Sequence, residues 1–177
     1  MRIELFTLLA KKLFREGKMY SFLSSGHNGD SMNIAGSKLY DQKDFYNSFV
    51  RDLERARTLV VIESPFMTQK RINMLLPALE RLRLRGVTVI VNTKPIEEHE
   101  ALMANYAEQG INQLQGVGVR VMMTVGHHRK LAIIDDVLWE GSLNILSQHD
   151  SCEFMRRISS RTLAQEMLSF IGVRKWV

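Results

Sequence analysis

The chain has 177 residues, 24 Lys and Arg against 19 Asp and Glu for a formal charge of +5, and 45% hydrophobic residues. These figures exclude a disordered polar chain and fit one globular domain with its own core, while the positive balance favours polyanionic partners without naming one. The single cysteine, Cys152, excludes an internal disulfide and fits a reducing, cytoplasmic compartment.

In chain order, residues 2–16 place Ile3, Phe6, Leu9, Leu13 and Phe14 on one helical face, with Lys11, Lys12 and Arg15 elsewhere. The lysines and the lack of a small-residue cleavage site argue against a signal peptide. No stretch reaches the roughly 18 uninterrupted apolar residues of a membrane span. Residues 24–37, SSGHNGDSMNIAGS, are turn formers and read as a loop. Residues 1–43 thus read as an N-terminal helix and Gly/Ser-rich loop ahead of a regular domain over 44–177.

From Asp44 the pattern predicts a helix through Arg57, a strand over 59–62 and a helix over 68–85 stopped by Gly86. A continuous apolar strand follows over 87–91, and the β-α-β order makes it parallel to the first. Next come a helix over 96–115 and a strand over 119–123. Residues 128–135 and 137–139 then read as a hairpin around Asp135-Asp136. A last strand over 153–158 and a closing helix over 161–170, with Leu163, Met167, Leu168 and Phe170 as its apolar residues, complete the chain. The fold class is α/β, with a mixed, largely parallel central sheet flanked by helices on both faces.

The chemistry concentrates in residues 128–135, HRKLAIID, and 141–144, GSLN. On an extended segment His128 and Lys130 point the same way, about 6–7 Å apart along the strand. An ammonium group beside an imidazole suits a phosphodiester: Lys130 neutralises the non-bridging oxygens while neutral His128 attacks phosphorus and forms a covalent intermediate. Gly141 permits a tight backbone turn, after which Ser142 and Asn144 can offer hydroxyl and amide donors to the same phosphate.

The run H-x-K-x4-D followed by G-S-x-N resembles the signature of the phospholipase D superfamily, matched by His128, Lys130, Asp135, Gly141, Ser142 and Asn144. ARTLVVIESPFM, RLRLRGVTVIVNT and GVRVMM resemble that superfamily's core, so the likeness covers residues 44–170. It implies His128 as nucleophile, Lys130 and Asn144 holding phosphate with support from Ser142, and neither metal nor cofactor. Glu153 resembles the acid that bonds the far nitrogen of the nucleophilic histidine and fixes its tautomer. Asp135 belongs to the motif, but at a hairpin turn a structural role through nearby backbone is the better reading. The superfamily's lipases and synthases carry two motifs and this chain carries one. A homodimer bringing two copies of His128 together would supply the general acid.

Other residues read more plainly. His127, His149 and Cys152 match no common zinc spacing, and His127 should face away from His128 as a packed or surface histidine. His27 reads as a solvated loop residue. Trp139 and residues 131–134 read as core and not as a base-stacking platform. Arg156, Arg157, Arg161, Arg174 and Lys175 could follow a DNA backbone or form a scattered solvated surface. The leading expectation is a metal-independent endonuclease acting on DNA, with RNA second. One alternative is a catalytically inactive nucleic-acid-binding or targeting module of a larger helicase or restriction assembly. A phospholipid headgroup hydrolase or transferase is disfavoured by the short chain, the single motif and the absence of a membrane-seeking segment.

Overall fold

Short β-branched runs alternating with helical segments fold here into one seven-stranded sheet covered by helices. The computed structural model describes residues 36–147 and 151–173, all within a compact unit spanning 34–177. The helix expected over 2–16, the loop over 24–35 with His27, and His149, Arg174 and Lys175 lie outside the described residues.

The elements are β1 (Ser37–Asp41), α1 (Phe45–Arg55), β2 (Leu59–Glu63), α2 (Gln69–Leu84) and β3 (Thr88–Thr93). A 3-10 turn (Ile96–Glu98) precedes α3 (Ala101–Gly116), followed by β4 (Arg120–Met123), β5 (Leu131–Ile134), β6 (Val137–Gly141), β7 (Phe154–Ser159) and α4 (Arg161–Phe170). The strands lie in the order β1-β7-β6-β5-β2-β3-β4. The pairs β2–β3 and β3–β4 are parallel. The pairs β5–β2, β6–β5, β7–β6 and β1–β7 are antiparallel. The sheet is mixed as expected, but its parallel part is the smaller one. The β5–β6 turn is too short for a crossover, so antiparallel pairing follows.

Helices cover both faces. Phe49 of α1, Leu79 of α2 and Leu114 of α3 join Val60, Ile62, Val89 and Val91 in one buried cluster. Val61, Ile90 and Ile133 meet Ala164 and Leu168 of α4 in the other. Neighbouring residues of β2 thus serve opposite cores, as strand alternation requires. Trp139 is fully buried in the first cluster, and its indole N–H donates to Asp52 Oδ2 at 2.9 Å. Arg157 closes the same carboxylate with two bonds, at 2.7 and 3.0 Å.

Three local expectations change. Residues 37–41 form an edge strand instead of belonging to loop and linker. Their SKLYD pattern leaves Leu39 57% exposed and carries little hydrophobic signal. The single helix expected over 96–115 is divided, because His99 and Glu100 adopt extended backbone between the 3-10 turn and α3. The strand expected from residue 128 begins only at Leu131, so His128 and Lys130 precede the strand instead of lying within it.

Candidate active site

The C-terminal ends of β2 and β3, the N-terminal ends of β5 and β7 and the C-terminal end of β6 meet along one edge of the sheet. In α/β sheets this edge collects side chains without breaking the core below it. Entry to the edge is set by a turn at 124–127: Gly126 has φ +68°, His127 N–H donates to Thr124 O at 3.1 Å, and Gly126 N–H donates to both oxygens of Glu98 at 2.9 and 3.0 Å.

After this turn the side chains alternate. His127 is buried, 3% exposed, whereas His128 is exposed. Burial pushes the His127 imidazole below its ordinary pKa, against the opposing pull of Glu63; neither of its ring nitrogens has a hydrogen-bond partner among the described residues. The Lys130 Nζ stands 2.9 Å from His128 Nδ1 and donates to His128 O at 3.1 Å. Burial lowers the Lys130 pKa, and Glu153 acts in the opposite direction.

A groove of about 690 Å³ opens here, lined on its polar side by His128, Lys130, Ser142, Glu153 and Arg156. Ser142 Oγ accepts from Phe154 N–H at 3.2 Å, and Ser142 N–H donates to Phe154 O at 3.0 Å, fixing the start of β7. Gly141 is required by close approach and not by a turn: a Cβ there would lie 2.2 Å from Phe154 O. Asn144 does not line this groove; its Oδ1 is buried without a partner among the described residues. Glu153 Oε1 accepts from Ser151 Oγ at 3.3 Å, with no hydrogen bond to His128.

Asp135 stands apart from this group, at the opposite end of β5. Its carboxylate accepts from the backbone N–H of Arg57 at 2.8 Å, Thr58 at 3.0 Å and Leu59 at 2.9 Å, and from the Thr58 hydroxyl. The partners are the loop between α1 and β2, remote in sequence, not the hairpin's own backbone. Nor do the C-terminal arginines among the described residues form one stripe. Arg157 is committed to Asp52, Arg156 lines the groove and Arg161 is 81% exposed near Asp136.

The sequence reading missed the support beneath His128 and Lys130. Glu63, fully buried at the end of β2, holds the Arg129 guanidinium with two bonds, one of them at 3.1 Å from Nη2 to Oε1. Asn92 of β3 donates to the same Oε1 at 3.1 Å and accepts from Thr124 Oγ1 at 3.0 Å. The bond to Glu63 pushes the Arg129 pKa up, against the opposing effect of burial. A carboxylate ending the apolar run LVVIE was the available signal, since a charge at the end of a buried strand needs a partner.

The family described as "Cardiolipin synthase, PLD-like domain" matches residues 49–172. Among solved structures, the phospholipase D family member Nuc from Salmonella typhimurium is 16% identical, with a TM-score of 0.63 over 78% of this chain and 92% of that one. NucT from Helicobacter pylori is 20% identical, with a TM-score of 0.60 over 76% and 91%. TrmBL2, an archaeal chromatin protein described as having a novel mode of DNA binding, is 12% identical, with a TM-score of 0.55 over 97% and 62%. A search of curated protein sequences found no match.

Proposed function

The chain belongs to the phospholipase D-like family, and we propose that within this family of phosphodiesterases it is a metal-independent endonuclease that cleaves DNA, with RNA second, through a phosphohistidine on His128 in a homodimeric site. The observation that carries the reading is the Lys130 Nζ, 2.9 Å from His128 Nδ1, in a groove that Arg156 makes more cationic. The +5 charge of the chain suits a polyanionic nucleic acid, and a DNA-binding chromatin protein shares the fold.

The lysine contact has a consequence for the order of events. An ammonium donating to Nδ1 leaves the proton of a neutral ring on Nε2, which is then no nucleophile. An arriving phosphate draws the ammonium to its oxygens, and Nδ1 takes the ring proton, which it donates to Glu153 of the same groove. The Nε2 lone pair then forms the N–P bond as the P–O bond to the leaving strand breaks. That oxygen takes a proton from His128 of the partner subunit acting as imidazolium. Water next attacks phosphorus, the N–P bond breaks, and the partner subunit's His128 accepts the water's proton.

Incubating the protein with supercoiled plasmid in excess EDTA, beside His128→Asn, tests this reading. The expected result is cleavage that survives the chelator and disappears in the variant. Cutting by the variant, or cutting abolished by EDTA and restored by a divalent metal, refutes the mechanism.

A further inference from the structure

The groove at His128 and Lys130 has two unlike sides. Beside its cations the lining includes Phe154, Met167 and Phe170, with Phe154 52% and Phe170 77% exposed, whereas Phe45 and Phe49 are fully buried. A second hollow of about 440 Å³ continues past Met167 and Phe170 along Leu138, Ile158 and Leu163, and its polar residues are Glu140 and Glu166. The two hollows share Glu140, Met167 and Phe170, so the cations, the two phenyl rings and a set of carboxylates line one continuous surface.

A nucleotide presents groups of the matching kinds: an anionic phosphate, a flat ring with apolar faces, and, on cytosine and adenine, an exocyclic amino group that donates to a carboxylate. The geometry points to Phe154 and Phe170 as the residues that hold nucleobases beside the bound phosphodiester, which makes unpaired nucleic acid the preferred substrate. This rests on the nucleic-acid reading above and narrows it. In a duplex the faces of each base are covered by its neighbours, and a phenyl ring has nothing to stack on. In a single strand the faces are free, and aromatic side chains take them with little regard to sequence. A phospholipid could also offer apolar matter to the wall, but it would bring an anionic membrane surface against Glu140 and Glu166, which repel it.

The strand order explains why the rings lie here. Phe154 opens β7 directly after the loop bearing Glu153, and Ser142 bonds its backbone on both sides, so its side chain is held at the margin of the phosphate site. Phe170 ends α4, the helix on that face of the sheet. The sequence reading treated Phe170 as an apolar residue of a packed helix; Leu168, two positions earlier, takes that part at 4% exposure.

The test measures binding with catalysis removed. His128→Asn protein, with and without Phe154→Ala and Phe170→Ala together, is titrated with labelled oligodeoxycytidylate, an abasic oligomer of equal length, a duplex, and phosphatidylglycerol vesicles. The expected result is binding of oligodeoxycytidylate about tenfold tighter than of the abasic oligomer, with the phenylalanine substitutions removing that difference and leaving abasic binding unchanged. Unchanged abasic binding also shows that the substituted protein is folded. Four outcomes overturn the proposal: undiminished oligodeoxycytidylate binding, duplex binding with the same dependence on the rings, ring-dependent binding of vesicles instead, or a dimer that becomes a monomer by light scattering when the rings are removed. Failure of the endonuclease reading would be seen separately, as absence of cleavage by protein with His128 intact.

Discussion

Asp135→Asn separates a structural role for the motif's aspartate from a catalytic one. Four donors converge on the carboxylate: three backbone N–H groups and the Thr58 hydroxyl. Asparagine with its oxygen at the Oδ1 position keeps three of the four bonds without their charge and turns its NH2 toward the Arg57 N–H, so one charge-assisted bond is lost at about 1.5–3 kcal/mol and the others weaken. Water reaches this turn and recovers part of the loss, leaving a destabilisation of about 2 kcal/mol. The backbone does not confuse the comparison, because Asp135 has φ +49° and asparagine accepts that region as readily. For a unit of this size the melting temperature should fall by about 4–8 °C.

The pH dependence gives a second reading of the same substitution. Burial raises the Asp135 pKa, and the bonds from Thr58, Leu59 and Arg57 outweigh it and hold the group below the usual carboxylate range. A carboxylate depressed on folding stabilises fully above its unfolded pKa of about 3.9 and loses that contribution as pH falls through the folded value. The difference between wild type and Asp135→Asn should therefore be largest near neutrality and shrink in acid. Thermal and urea melts measure it, together with cleavage at a temperature where both proteins are folded. A variant that melts within about 1 °C of wild type yet cuts nothing would refute this account and place the carboxylate in the chemistry.

Two further outcomes follow from the site itself. Gly141→Ala drives a Cβ into the Phe154 carbonyl oxygen, with Met155 Cα only 2.9 Å away; both are backbone atoms, so β7 must move and stability should drop by roughly 3 kcal/mol or more, which an unchanged melt would contradict. Burial holds the Lys130 ammonium below the ordinary lysine range, partly opposed by Glu153. Oligonucleotide affinity of the His128→Asn protein should thus begin to fall before pH reaches about 10.4, Lys130→Arg should abolish that fall, and superimposable pH curves for the two proteins would count against it.

What the sequence disclosed, and what it concealed, follows from the range of the interactions involved. Gly86 could be read as a helix stop because a positive φ, here +82°, is a local demand on one residue. The approach of Lys130 to His128 could be read because two positions along an extended chain share a side. Arg129 sits between them and looks like spacer in the motif, yet it turns away and is held by a carboxylate 66 positions earlier. No local pattern encodes that pairing. The structural role expected of Asp135 fits its bonds, but its partners, like those of Gly141, lie elsewhere for the same reason. Both were expected to serve their own turns, and both answer to a distant segment, β7 in one case and the start of β2 in the other. β1 went unnoticed because an edge strand with one buried neighbour needs little hydrophobic periodicity.

The join between β2 and β5 is where the parallel and antiparallel parts of the sheet meet. His128, Lys130 and Ser142 come from the antiparallel side, while Glu63, which holds Arg129 between the first two, and Asn92, which bonds Glu63, come from the parallel side. Neither side owns a working centre. A chain with only one of them assembled has no anchored His128–Lys130 pair. The seam in the sheet thus makes the placement of the His128–Lys130 pair a property of the finished fold and of neither half alone.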